Sequence, residues 1–127
     1  MAIQRHRSTG EPPAATESWR QFIGNATVLL QWHGFTLLTD PNFVHAGEKV
    51  PIGYGLTTTR LRDPALEIED LPPIDLVLLS HYHGDHFDQV AEERLDRSLP
   101  IVTTPAANTL SGKGFENARP LETWESY

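Results

Sequence analysis

Four side chains that can bind a metal ion lie close together in one short segment. His81, His83, Asp85 and His86 include three of the six histidines of the chain. Imidazole nitrogens and carboxylate oxygens are suitable ligands for zinc, iron and manganese. Gly84 permits a sharp bend, which would let side chains from so short a segment converge. The chain has no cysteine, so the pattern predicts a metal site built from nitrogen and oxygen ligands alone.

Two simpler interpretations of the histidines compete with this one. The segment could be a polar, solvated turn, which is the usual explanation for an isolated histidine. A dense set of histidines with an interleaved aspartate disfavours that explanation. The segment could also hold a purely structural metal, but structural zinc sites are usually closed shells rich in cysteine. The residues therefore favour a catalytic metal site over both alternatives.

The elements that would position these side chains can be read from hydrophobic patterning. Residues 75–80 are apolar at four consecutive positions and end at the histidine-rich segment, which is typical of a strand buried on both faces. Residues 42–73 are interrupted repeatedly by glycine and proline, and we expect a long loop there. The remaining predicted elements are strands at 19–23, 26–32 and 35–39 (the last two joined by a tight turn at His33-Gly34), a helix at 88–96, a strand at 101–104, a helix at 105–111 that stops at Gly112, and a strand at 118–121.

This order of elements predicts a layered α/β domain of the α+β kind, because strands come first and strands and helices then alternate. Functional sites in such domains lie in loops at the ends of strands. The length of 127 residues fits one small domain or part of a larger one. We expect residues 1–18 to form a flexible N-terminal tail, since the segment is polar.

Composition narrows the classes of partner and the location. The net charge of −7 argues against binding to nucleic acid, which requires clustered lysine and arginine. No stretch approaches the ~20 apolar residues of a membrane span. The N-terminus has no apolar core of a secretory signal, and with the lack of cysteine this favours a cytoplasmic protein.

The motif His81-x-His83-x-Asp85-His86 after an apolar strand resembles the signature of the metallo-β-lactamase superfamily. Three further segments, Gly24–Leu30, Leu38–Pro41 and Leu71–Asp75, are similar to the branch that contains N-acyl phosphatidylethanolamine phospholipase D and the ascorbate-phosphate lactonases. That branch often has histidine where this chain has Asn25. The resemblance runs from about Trp19 to the end, so residues 19–127 would be the N-terminal part of such a domain, half of an αββα sandwich.

The resemblance also implies how the site would work. His81 and His83 would bind one divalent metal ion, and Asp85 and His86 a second; zinc is the leading candidate, with manganese and iron as alternatives. A water or hydroxide between the metals would attack the substrate, and Asp85 would orient that nucleophile or take its proton as the catalytic residue. Asp40, at a strand end, would accept a hydrogen bond from a ligand histidine, or would simply form the turn before Pro41.

No histidine follows His86, although the family's complete site needs further ligands. We therefore expect a truncated chain that is incomplete as an enzyme. His33 is expected at the surface of a turn, His45 could line a pocket in the long loop, and His6 lies in the tail. The half-sandwich would leave an apolar sheet face uncovered, which predicts self-association.

Two functional hypotheses follow. The first is a metal-dependent hydrolase that acts on a phosphodiester, a lactone or a similar small-molecule or lipid-like ester. The second is a non-catalytic fragment that binds metal weakly or serves as an interaction module. A nucleic-acid-processing member of the same superfamily is disfavoured by the acidic balance of the chain.

Overall fold

The computed structural model describes residues 18–105 and 107–127. Apart from Ser18, the predicted flexible tail at 1–18 lies outside these residues. The elements, in chain order, are β1 (Trp19–Gly24), β2 (Thr27–Trp32), β3 (Phe35–Thr39), β4 (Lys49–Gly53), β5 (Leu56–Thr59), a 3-10 turn (Ile68–Asp70), β6 (Leu76–Leu78), α1 (Gln89–Arg94), β7 (Ile101–Thr103), α2 (Ala107–Gly112) and β8 (Ala118–Pro120).

Six strands form one mixed sheet in the order β1-β2-β3-β6-β7-β8. The first three strands pair antiparallel, and β3, β6, β7 and β8 pair parallel. The turn between β2 and β3 has positive φ at both central residues, 49° at His33 and 83° at Gly34. Such a turn matches the right-handed twist of a hairpin. The predicted strands and helices outside 42–73 are confirmed, with boundaries that differ by at most two residues.

The prediction of a long loop at 42–73 is wrong in part. This segment contains the antiparallel hairpin of β4 and β5 and the 3-10 turn. Apolar alternation is limited to Val50 and Ile52 on either side of Pro51 in β4, and all four residues of β5 are exposed. A strand of this kind is stabilised by its tertiary contacts, so hydrophobic periodicity does not reveal it.

One face of the six-stranded sheet carries the core. Leu29, Leu38, Val77 and Ile101 lie side by side across four neighbouring strands, and all are at most 1% exposed. The helices and loops that cover this row contribute further buried apolar side chains, namely Phe43, Phe87, Ala91, Leu110 and Phe115. Burying one large apolar side chain contributes roughly 1.5–3 kcal/mol, so this layer is the main source of stability.

The other face of the sheet is only partly covered by the described residues. Phe22, Trp32 and Phe35 are 56%, 57% and 63% exposed, and Leu30 and Leu37 beside them are half-buried. A helical layer on one face of a mixed sheet confirms the predicted layered α+β class. None of the helices in the described part of the chain is long and apolar enough to cross a membrane.

Candidate metal centre

The histidine-rich segment and Asp40 meet at one edge of the sheet. Strands β3 and β6 are parallel neighbours, so their carboxyl ends lie together. Asp40 follows β3, and its backbone N–H donates to the carbonyl of Leu78 at 2.9 Å, which extends the pairing by one residue. The segment from Ser80 onward follows β6. The position agrees with the general placement of sites outside the carboxyl ends of parallel strands.

Three of the four motif residues converge. Ligand atoms of His81, Asp85 and His86 all lie within 4.8 Å of one another, and all three residues are half-buried. The rings of His81 and His86 are 3.9 Å apart between centroids. His83 is exposed and lies outside this group, with its ring edge-on to His81 at 4.7 Å. The role of each residue as a metal ligand stays a prediction.

The carboxylate of Asp40 contacts a ligand histidine directly. Its Oδ2 lies 2.8 Å from Nδ1 of His86 and accepts from the hydroxyl of Ser80 at 2.8 Å, while its Oδ1 accepts from the Ser80 backbone N–H at 2.6 Å. The side chain is nearly buried. Asp40 also has a left-handed φ of 35°, a conformation that aspartate and asparagine tolerate better than most residues.

These contacts determine which ring nitrogens are free. A carboxylate only accepts hydrogen bonds, so the neutral imidazole of His86 has its proton on Nδ1 and a lone pair on Nε2. That Nε2 lies 3.6 Å from Oδ2 of Asp85. Ser80 donates its proton to Asp40, so its Oγ can accept from Nδ1 of His81, 3.0 Å away. Asp40 therefore favours the same tautomer in both histidines, directly in one and through Ser80 in the other.

The backbone of the loop is held from two sides. The side chain of Asn25 donates to the carbonyl of Asp85, and that of Asn42 donates to the carbonyl of Gly84 at 3.2 Å. The Gly84 N–H donates to the carbonyl of Pro51 at 2.7 Å, and a Cβ on Gly84 would lie 2.3 Å from that oxygen. Glycine is needed here because the β4 backbone approaches closely, rather than for the bend that the sequence suggested.

Asp88 links the loop to its surroundings from the other end. This residue is 1% exposed and caps α1, since its Oδ1 accepts from the Ala91 N–H at 2.9 Å. Its Oδ2 accepts from the backbone N–H groups of Phe43 and Val44. Burial raises the pKa of Asp88, and the backbone donors oppose that shift. The carboxylate thus ties the segment after Asp40 to the helix that follows the histidines.

The donor set fits a metal ion. Oδ1 of Asp85 is buried and has no hydrogen-bond partner among the described residues, which is costly for a carboxylate oxygen unless a cation satisfies it. Two imidazoles with free lone pairs face the same carboxylate. These are nitrogen and oxygen donors of the type that zinc, iron and manganese accept.

The remaining histidines lie elsewhere. His33 is exposed in the β2–β3 turn, and His6 lies outside the described residues. His45 is exposed and lies 2.7 Å from Glu67 and 3.5 Å from Asp63. The hydrogen bond to Glu67, followed by the charges of the surrounding carboxylates, raises the pKa of His45. It therefore takes part in a surface ion pair and is not in the histidine cluster.

Sequence reasoning missed three residues of this arrangement. Ser80 could have been suspected from its position at the strand end directly before the first histidine. Asp88 carries the sequence signal of a helix cap, because aspartate is preferred at that position. Nothing in the sequence around Asn42 indicates that its side chain reaches the histidine-rich loop 42 residues later.

Comparison with known proteins places the chain in a family. A profile described as the beta-lactamase superfamily domain matches residues 21–127. The N-acyl-phosphatidylethanolamine-hydrolyzing phospholipase D 1 of Caenorhabditis elegans is 33% identical over 81 residues, covering 64% of this chain and 22% of the relative. The mitochondrial N-acyl-phosphatidylethanolamine-hydrolyzing phospholipase D of Saccharomyces cerevisiae is 27% identical over 111 residues, covering 85% of this chain and 23% of the relative.

A solved structure gives the same result. The isothiocyanate hydrolase from Delia radicum gut bacteria superposes with a TM-score of 0.66 at 28% identity, covering 81% of this chain and 40% of that chain. The chain thus spans less than a quarter of the two phospholipases and less than half of the hydrolase. The predicted fold class is confirmed by this likeness, and the match over residues 21–127 shows that the chain belongs to the metallo-β-lactamase superfamily.

Proposed function

We propose that this chain carries part of the centre of a metal-dependent hydrolase that acts on a phosphodiester, a lactone or a similar ester. The observation that carries the proposal is the convergence of His81, Asp85 and His86, whose ligand atoms lie within 4.8 Å of one another. Asp40 is hydrogen-bonded to Nδ1 of His86, which leaves Nε2 for a metal ion. A ligand histidine whose second nitrogen donates to a carboxylate is the usual arrangement in metal sites.

The residues proposed to hold divalent metal are His81, His83, Asp85 and His86, with zinc as the leading candidate and two ions in a complete site. A bound ion of this kind lowers the pKa of water toward ~7 and polarises the group under attack. Asp85 would keep one carboxylate oxygen for orienting the attacking water or accepting its proton. Asp40, with Ser80, would hold the histidines in the tautomer that leaves Nε2 free.

Three observations support the proposed substrate, partners and location. The two phospholipase relatives are named for hydrolysis of N-acyl-phosphatidylethanolamine, which supports a lipid-like ester as substrate of the whole protein. The acidic balance of the chain supports the absence of a nucleic-acid partner. The lack of cysteine is consistent with a cytoplasmic location, which stays a prediction.

Zinc titration of the chain tests the proposal. We expect zinc binding in the wild type and a loss of zinc affinity of at least about tenfold in Asp85→Asn, because a neutral amide oxygen is a weaker ligand for a divalent cation than a carboxylate. Asp70→Asn is the matched control, an exposed aspartate outside the cluster. A wild type without bound zinc would contradict the proposal. In a form of the protein that turns over, Asp85→Asn should remove most hydrolysis of bis(p-nitrophenyl) phosphate and keep the fold.

The uncovered sheet face favours the second candidate, a non-catalytic interaction module. Phe22, Trp32 and Phe35 present large apolar side chains on one face, a feature that marks association surfaces. Calorimetry separates the two candidates, since zinc binding that depends on Asp85 supports the metal centre, and one weak site that Asp85→Asn leaves unchanged supports the module. We also expect the chain to self-associate, and Trp32→Lys to reduce this in sedimentation velocity; a wild type that sediments as a folded monomer would contradict it.

A further inference from the structure

A groove of about 540 Å³ opens directly beside Asp85. It lies between the β1–β2 turn on one side and the β4–β5 hairpin with the residues after it on the other. Phe22, Val50, Ile52 and Leu61 give it an apolar wall. Of the residues in the candidate metal centre, Asp85 lines this groove, so a molecule bound there would lie beside that carboxylate.

Arg60 enters this groove from a fixed backbone. Its N–H donates to the carbonyl of Glu48 at 2.9 Å, and its carbonyl accepts from the N–H of Gly47 at 2.9 Å. These bonds hold the residue at the end of β5. The side chain is half-buried, so its reach into the groove is restricted by neighbours rather than free in solvent.

The guanidinium of Arg60 is directed toward the loop that carries Asp85. It donates to the side-chain oxygen of Asn42, whose own amide donates to the carbonyl of Gly84. It also lies against Gly24, where a Cβ would overlap it. Glycine at position 24 therefore leaves the space that the guanidinium occupies at the mouth of the groove.

The positive charge of Arg60 has no carboxylate partner among residues 18–105 and 107–127; the ion pairs found there involve other side chains. The groove contains two carboxylates. Asp63 is engaged by the N–H of Ala46 at 2.9 Å and by His45, and Asp85 belongs to the metal cluster. A half-buried guanidinium without a carboxylate is suited to bind an oxyanion through two parallel N–H bonds.

We propose that Arg60 is the residue that binds an oxyanion of the substrate, and that the apolar wall of the groove accommodates a hydrocarbon chain attached to it. This rests on the proposed function, since it makes the groove the approach to the hydrolytic centre. The ligand class is an anionic amphiphile, whose headgroup is a phosphate or a carboxylate, with its charge near the bond that is cleaved.

Binding of short amphiphiles to the metal-free chain tests the proposal without turnover. The probes are octyl phosphate, octanoate, octanol and inorganic phosphate, followed by calorimetry and by amide chemical shifts. We expect octyl phosphate and octanoate to bind more tightly than octanol, and octyl phosphate more tightly than inorganic phosphate. The stronger of the two anionic probes identifies the headgroup. Octanol that binds as tightly as both anionic probes would overturn the role of Arg60, and inorganic phosphate that binds as tightly as octyl phosphate would overturn the role of the wall.

Arg60→Gln should weaken binding of the preferred anionic probe by about tenfold or more, because a charge-assisted hydrogen bond is lost. Arg20→Gln is the matched control, since Arg20 is exposed on β1 and does not line the groove. Arg60→Lys keeps the positive charge but lacks the paired donors, so its affinity for the probe should lie between those of the wild type and Arg60→Gln. This second variant provides a test if Arg60→Gln does not fold. The proposal would be overturned if Arg60→Gln lowered the affinity for the anionic probe no more than Arg20→Gln does. If Arg60→Gln is unfolded, an unchanged affinity in Arg60→Lys would overturn it.

The result is distinguishable from that of the proposed function. Zinc titration of the wild type decides whether the histidine cluster binds metal, whatever the amphiphile data show. Zinc binding without amphiphile binding overturns only the role of Arg60. Amphiphile binding that depends on Arg60 in a chain that binds no zinc supports the groove and contradicts the hydrolase.

Discussion

Replacing Asp40 with asparagine changes one charge at the centre of the hydrogen-bond network and little else. The carboxylate accepts from three donors, the N–H and hydroxyl of Ser80 and Nδ1 of His86, at 2.6–2.8 Å. Asparagine has the same shape and tolerates the left-handed φ of 35°, so the backbone is not strained. Alanine would combine loss of the acceptor with strain and would confuse the two effects.

The side-chain amide of asparagine can take two orientations, which differ because its oxygen accepts hydrogen bonds and its NH₂ only donates them. If its NH₂ faced the Ser80 N–H, two donors would oppose each other, and a backbone N–H left unsatisfied costs about 1–3 kcal/mol. The hydroxyl of Ser80 and the ring of His86 can relocate their protons, whereas the backbone N–H cannot. We therefore expect the oxygen to face the backbone N–H of Ser80 and the NH₂ to face both the Ser80 hydroxyl and His86, which moves the imidazole proton to Nε2.

A histidine with its proton on Nε2 must change tautomer before that nitrogen can bind metal. Loss of such a supporting carboxylate typically lowers metal affinity 10- to 100-fold, or about 1.4–2.8 kcal/mol. We expect this loss of zinc affinity in Asp40→Asn, with an unchanged circular dichroism spectrum. Competition against a chromophoric zinc chelator measures the affinity, and ¹⁵N chemical shifts of the imidazole in the metal-free chain report the tautomer of His86.

The control is Asp70→Asn, which removes the same charge from an exposed position in the 3-10 turn. Zinc affinity that falls equally in both variants would point to net charge alone. Wild-type affinity in Asp40→Asn, or a His86 tautomer that does not change, would refute the reasoning from hydrogen-bond direction.

Three further predictions concern stability and pH. Gly84→Ala should lower the free energy of unfolding, measured by urea denaturation, by about 1–3 kcal/mol, because the added Cβ would overlap a backbone oxygen. Gly112→Ala is the control, since its Cβ meets open space and the change should be neutral or stabilising. Equal effects of the two substitutions would contradict this prediction. Asp88→Ala should lower the free energy of unfolding by about 3 kcal/mol or more, because the helix cap and the N–H groups of Phe43 and Val44 all lose their acceptor. A loss of only about 1 kcal/mol, the typical value for a helix cap alone, would contradict the contribution of the bonds to Phe43 and Val44. In an NMR titration, the pKa of His45 should lie above 6.5 and return toward that value in Glu67→Gln. Because the pKa of His45 is raised in the folded state, its pair with Glu67 stabilises the fold below about pH 6.5. This contribution is lost as the pH rises through the raised pKa. An unchanged titration in Glu67→Gln would refute the assigned partner.

Hydrophobic pattern predicted the parts of the fold whose stability comes from burial. Strands β2, β3 and β6 are apolar runs that build the buried row of the sheet, and the turn at His33-Gly34 follows from the conformations that a two-residue hairpin needs. The β4–β5 hairpin was not predictable in this way. Its strands are held by contacts with distant segments, such as the bond between the Pro51 carbonyl and the Gly84 N–H, which periodicity does not encode.

The candidate site was predictable in its ligand types but not in its support. The density of His81, Asp85 and His86 after a buried strand indicated chemistry because imidazole and carboxylate rarely cluster without a use. The partners of these residues come from other parts of the chain. Asn42 donates to the loop carbonyl of Gly84, and Arg60 donates to Asn42 in turn, so only the folded structure brings these residues together.

Two buried carboxylates support the loop, and they do so by different means. Asp40 contacts a ligand side chain and sets the tautomer of His86, whereas the hydrogen bonds of Asp88 go to backbone N–H groups. Loss of Asp40 should therefore lower metal affinity more than stability, and loss of Asp88 should lower stability more than metal affinity. The two effects have separate causes. In each variant, the loss of zinc affinity compared with the loss in free energy of unfolding therefore shows whether the carboxylate orients the ligands or holds the loop that carries them.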